Sequence, residues 1–99
     1  DVLAYMLDIV ERTRRHPDVA LGVSPRGSQA LLKAVQVRAI LQGRDFVTPD
    51  DVKAMAKPVL AHRILLNHSM RLKEGGAEAI IDQLLREAPI PAENVAVNG

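Results

Sequence analysis

The sequence predicts an all-α fold, a small bundle of four to five helices. Three observations carry this. Apolar residues recur at helical spacing in four separate segments, helix-start and helix-stop residues stand between those segments, and no strand long enough to build a sheet is apparent. The 99 residues, 47% of them hydrophobic, suit one compact domain with a single core, expected over residues 1–91 and followed by a flexible tail at 92–99.

The first helix is expected from about Val2 to Arg15, where Val2, Tyr5, Met6, Ile9, Val10 and Thr13 share one face. On the opposite side Asp8 faces Arg12 and Glu11 faces Arg15 at i,i+4 spacing, as on a solvated surface. Arg12, Arg14, Arg15 and His16 are compatible with a phosphate patch. Cations at a helix C-terminus also complement its dipole, and that is the preferred reading here. Pro17 stops the helix by pushing His16 out of helical geometry.

The second helix is expected from Pro25 to about Leu41, capped by Ser24 and closed by Gly43. Apolar residues nearly encircle it and leave only Gln29, Lys33 and Gln36 as a polar stripe, which predicts a central, largely buried helix. A short connector, Gly43 to Val47, leads to Thr48-Pro49-Asp50-Asp51, a strong helix start with a capping threonine, proline at the first position and two acids in the first turn. Val52, Met55 and Val59 continue as the apolar stripe of a third helix, and Pro58 predicts a kink or split with a further helical turn or two through Ile64. Asn67 to Gly76 reads as a mobile polar connection. The fourth helix sets Ala77, Ile80, Ile81, Leu84 and Leu85 on one stripe and stops at Pro89 and Pro91.

Charge and composition exclude several functions. Thirteen basic against twelve acidic residues give a net charge of +1, so nucleic acid is an unlikely partner and a helical DNA-binding or histone-like module is disfavoured. Two aromatic residues, Tyr5 and Phe46, are too few for a base-stacking platform. There are no cysteines, and no apolar run approaches the roughly 20 residues needed to cross a bilayer. A cytoplasmic protein with no membrane association is the expectation. His16, His62 and His68 lack metal-ligand spacing, so no metal site is expected. Asp50 and Asp51 are adjacent on a helix, point in different directions and read as capping acids. Ser24 and Ser28 have no nucleophile elbow or base, and a Walker A motif is absent.

Arg26 is the residue that composition does not explain. It falls in the first turn of the second helix, where unpaired N–H groups and the dipole favour an anion over a cation. Gly27 and Ser28 would keep the surface low enough for a phosphate to meet the guanidinium and the amides together. A surface arginine tolerated at small cost is the plain alternative, as in a protein-interaction bundle without nucleotide chemistry.

Four stretches then form a familiar pattern: Thr13-Arg14, Gly22-Val23-Ser24-Pro25-Arg26, Gly43 to Val52 with its Arg-Asp-Phe-Val-Thr-Pro-Asp-Asp core, and Pro58-Val59-Leu60-Ala61-His62-Arg63. Together they closely resemble the C-terminal helical lid of MoxR-family AAA+ ATPases, and the resemblance covers nearly the whole chain apart from its tail. It implies that Arg26 is the sensor-2 arginine contacting the γ-phosphate of ATP. It also implies that Gly22, Val23 and Ser24 face the adenine and sugar, although ordinary turn chemistry explains these three equally well. ATP and Mg2+ are implied as cofactors of the full-length protein, with none expected on this chain alone. The implied partners are the preceding AAA+ core domain, neighbouring subunits of a hexameric ring and von Willebrand factor A-type proteins, in a chaperone-like assembly factor. Arg44 and Asp45 lie in the shared pattern, where a mutual salt bridge or loop capping competes with ligand contact. His62 and Arg63 would meet either the core domain or a neighbour.

Overall fold

The computed structural model describes residues 1–91, and the tail expected at 92–99 lies outside the described residues. Asp1 opens the fold by accepting the Ala4 N–H at 2.8 Å, which satisfies one of the unpaired donors at the start of helix α1, Val2–Arg15. A three-residue strand, β1 (Val19–Leu21), leads to helix α2 (Pro25–Leu41), which Gly43 ends in the left-handed region at φ 79°. Helix α3 (Pro49–Leu60) runs antiparallel to α2 as an αα-hairpin and passes into a 3-10 turn, Ala61–Arg63. Strand β2 (Leu65–Leu66), the one-turn helix α4 (His68–Arg71) and helix α5 (Gly76–Glu87) complete the described chain.

The main core lies where α1, α2, α3 and α5 meet, around Ile9, Leu31, Val35, Val52, Leu60 and Ile81. A smaller cluster of Leu66, Ile80 and Leu84 seats the strand pair on α5. The expected α1 face is buried from Tyr5 to Thr13, and α5 buries Ile80, Ile81 and Leu84 as its periodicity requires. Among the described residues no helix is long and apolar enough to cross a membrane.

Three expectations are corrected and one is narrowed. β1 and β2 pair antiparallel, joining Val19 to Leu66 and Leu21 to Leu65 across a bulge, where no sheet was expected. Strands this short carry no readable alternation, and it is tertiary closure that pairs them. The supposed mobile connection contains α4, and its Gly76 packs under Leu66 and Met70. Of the kink or split expected at Pro58 the split is absent: α3 continues two residues past the proline, and the further turn expected there is the 3-10 turn, Ala61–Arg63. Finally, α2 is not central. It buries one stripe, Leu31, Val35 and Ala39, and leaves Val37, Ile40 and Leu41 at 48%, 67% and 80% exposure. Apolar composition cannot show how many neighbours a helix has, and α2 packs chiefly against α3.

Candidate functional site

Arg26 is the second residue of α2 and is exposed. Among the described residues its side chain takes part in no hydrogen bond or ion pair. Ser24 caps the helix: its Oγ accepts the Gly27 N–H at 3.1 Å, and its carbonyl accepts the Ser28 N–H at 3.0 Å. No acid stands in the first turn of α2. The helix dipole and the guanidinium therefore meet with no carboxylate from this turn between them.

The segment ahead of α2 is held by the end of α1. Buried Thr13 accepts the Val23 N–H at 3.1 Å on Oγ1 and donates the same hydroxyl to the Val10 carbonyl at 2.6 Å. Its neighbour Arg14 donates Nε–H to the Val23 carbonyl at 2.9 Å. Both backbone polar groups of Val23 are thus taken by consecutive residues of α1. A Cβ on Gly22 would lie 2.7 Å from Arg14 Cα, so only glycine permits this approach. Sequence reasoning set Thr13 on the apolar face and read Arg14 as a dipole cation. The signal for their shared role was their adjacency in the Thr13-Arg14 pair. Thr13→Val keeps the shape but leaves the Val23 N–H buried without an acceptor. It is expected to destabilise the chain by about 1–3 kcal/mol in chemical denaturation.

Gly22, Val23 and Ser24 line one shallow concavity of about 460 Å³ with Arg14, Leu21 and Pro25, immediately before Arg26. Val23 turns its side chain into the core. Gly27 is buried against Val23 and Arg63, so its role is close packing and not the clearing of surface for a ligand. The basic cluster at the end of α1 is engaged internally: Arg12 pairs with Asp8 at 3.1 Å, Arg14 and Arg15 approach Glu11, and His16 bonds Gln83 at 3.1 Å.

Away from this surface, the α2–α3 connector is locked by a buried carboxylate. Asp51 is 0% exposed and takes a two-pronged contact from Arg44, at 2.8 and 2.6 Å. Arg38 and the Thr48 backbone N–H add bonds at 2.5 and 2.7 Å. The Arg44 hydrogen bond holds the Asp51 carboxyl well below the usual carboxylate range. Burial works against it, and the Thr48 and Arg38 bonds work with it. Arg44 therefore pairs with Asp51 and not with Asp45, and Asp51 is a connector lock as well as a capping acid. Arg44 also lies over the Phe46 ring, 5.6 Å from its centroid. Among the described residues no group of three or more His, Cys, Asp or Glu side chains is placed to hold a metal ion.

The chain belongs to the AAA lid domain family, whose model matches residues 11–84. Within that family it resembles the lids of MoxR proteins. It is 44% identical to protein MoxR of Paracoccus denitrificans over 89% of this chain and 30% of that protein. It is 36% identical to chaperone MoxR1 of Mycobacterium tuberculosis over 77% of this chain and 20% of that protein. The uncharacterized protein YeaC of Bacillus subtilis is 44% identical over 94% of this chain and 29% of its own length. A crystal structure of a candidate ATPase from Cytophaga hutchinsonii superposes with a TM-score of 0.82 at 28% identity, covering 90% of this chain and 30% of that one. The chain thus spans less than a third of the curated relatives it matches.

Proposed function

We propose that this lid closes over ATP bound by a AAA+ core domain and supplies Arg26 as the sensor-2 arginine at the γ-phosphate. The observation that carries the reading is a solvent-facing guanidinium, without a protein partner among the described residues, fixed at a helix start where an anion is favoured. ATP fits this surface: Arg26 offers the charge, and its own backbone N–H has no acceptor among the described residues. The concavity formed by Gly22, Val23 and Ser24 offers a wall to the base and sugar. Among the described residues no acid stands in the first turn of α2 or lines the concavity, and in this reading magnesium is held by the core domain.

ATP supplies the phosphoryl group whose transfer the whole enzyme catalyses. Arg26 stabilises the charge that gathers on that group and so lowers the barrier. Because Arg26 sits on a helix start held by the Thr13–Arg14 clamp and the Ser24 cap, a pull on the guanidinium moves the lid as a body. Loss of the terminal phosphate removes the contact and releases the lid angle, a hinge movement biased by the difference in contacts between the two states. In a hexameric ring, that rotation would reach the neighbouring subunit, and through it the von Willebrand factor A-type partners and clients of a chaperone-like assembly factor. The test is ATP turnover by an Arg26→Ala variant of a full-length ATPase carrying this lid. Strongly reduced turnover agrees with the reading, and wild-type turnover refutes it.

A further inference from the structure

The antiparallel α2–α3 hairpin returns the end of α3 to the start of α2, and with it Arg63, the last residue of the 3-10 turn. Gly27 makes the approach close: a Cβ there would lie 3.4 Å from Arg63 Cδ and 2.8 Å from Val23 Cγ1. The stem of Arg63 therefore lies against the residue that follows Arg26. Arg63 is exposed, and like that of Arg26 its side chain has no hydrogen-bond or ion-pair partner among the described residues.

Most other arginines of the described chain are compensated. Arg12, Arg14, Arg15, Arg38 and Arg44 pair with carboxylates. Arg71 and Arg86 stand in the last turns of α4 and α5, where a cation is favoured, and Arg63 likewise ends the 3-10 turn. At the start of α2 the stem of Arg63 lies against Gly27, the residue next to Arg26, neither side chain has a hydrogen-bond or ion-pair partner among the described residues, and no acid stands in the first turn. An anion held between the two guanidinium groups would gain from both charges.

We propose that Arg63 is a second phosphate-contacting arginine, binding the same terminal phosphates as Arg26 from the α3 side. The proposal rests on the sensor-2 reading and deepens it. Two arginines on one triphosphate sharpen discrimination between ATP and ADP, because the diphosphate lacks the group they share.

The experiment measures the affinities of a non-hydrolysable ATP analogue and of ADP for a full-length ATPase carrying this lid, as wild type, Arg63→Met, Arg63→Lys and Arg26→Met. Arg63→Met keeps the stem over Gly27 and removes the charge. It is expected to reduce the ratio of triphosphate to diphosphate affinity about tenfold, in line with the loss of one charge-assisted hydrogen bond, with ADP affinity changed less than about twofold. Arg63→Lys, which keeps a point charge, is expected to recover part of the ratio. An unchanged ratio in Arg63→Met, which keeps the stem, overturns the proposal and assigns Arg63 to packing. If Arg26→Met lowers the ratio while Arg63→Met does not, only this proposal fails. If Arg26→Met leaves the ratio unchanged, the sensor-2 reading falls with it.

Discussion

Alanine at position 26 is expected to lower ATP turnover about 10²- to 10³-fold in a full-length ATPase carrying this lid, a barrier increase of about 3–4 kcal/mol. The lid itself should keep its stability within about 0.5 kcal/mol. The Arg26 side chain is exposed and makes no hydrogen bond or ion pair among the described residues, so its truncation removes no internal contact of that kind. That separation of effects distinguishes a residue acting on a ligand from one acting on the fold. Turnover of the variant and thermal melting of the lid, measured together, check it.

Asp51→Ala should do the reverse and destabilise the lid itself. The substitution deletes a fully buried carboxylate and leaves Arg38 and Arg44 facing one another without it. Breaking a buried pair by removing one partner costs about 3–5 kcal/mol. Both arginines keep some solvent, at 28% and 22% exposure, so about 2–4 kcal/mol is expected. For a domain of this size that lowers the melting temperature by roughly 10–25 °C. The pH dependence has a definite sign. The folded carboxyl titrates below its unfolded value, so the unfolded chain takes up the proton first. The stabilisation is complete above the unfolded value near pH 4. It is lost as pH falls from there through the lower folded value. The wild-type melting temperature should drop over that acid range, and Asp51→Ala should lack this part of the drop.

The same two regions show how much was legible in the chain. The bounds of α1 and α2 follow from local signals: Pro17 after His16, Ser24 and Pro25 at a helix start, and Gly43 at a left-handed stop. The exposed position of Arg26 also follows from local rules, since the second residue of a capped helix projects from its end. What escaped the sequence depends on residues far apart in the chain. The β1–β2 pair joins Val19 to Leu66, the clamp joins Thr13 and Arg14 to Val23, and Arg63 reaches Gly27 only because α3 folds back along α2. Arg44 shows the limit within a short connector. Asp45 is its neighbour in sequence, but the carboxylate at the start of α3 has the burial and the two free oxygens that a guanidinium fork requires. The exposed side of α2, with Ile40 and Leu41, likewise depends on which helices exist to cover it, a property of the assembled domain and not of the helix.

The most direct test of the account is the structure of a full-length ATPase carrying this lid, bound to a non-hydrolysable ATP analogue with Mg2+. The account predicts the Arg26 guanidinium within about 3 Å of a γ-phosphate oxygen, with the segment from Gly22 to Ser24 lining the same cleft. A closed lid in which Arg26 faces solvent, and the γ-phosphate is met only by residues outside this chain, would contradict it.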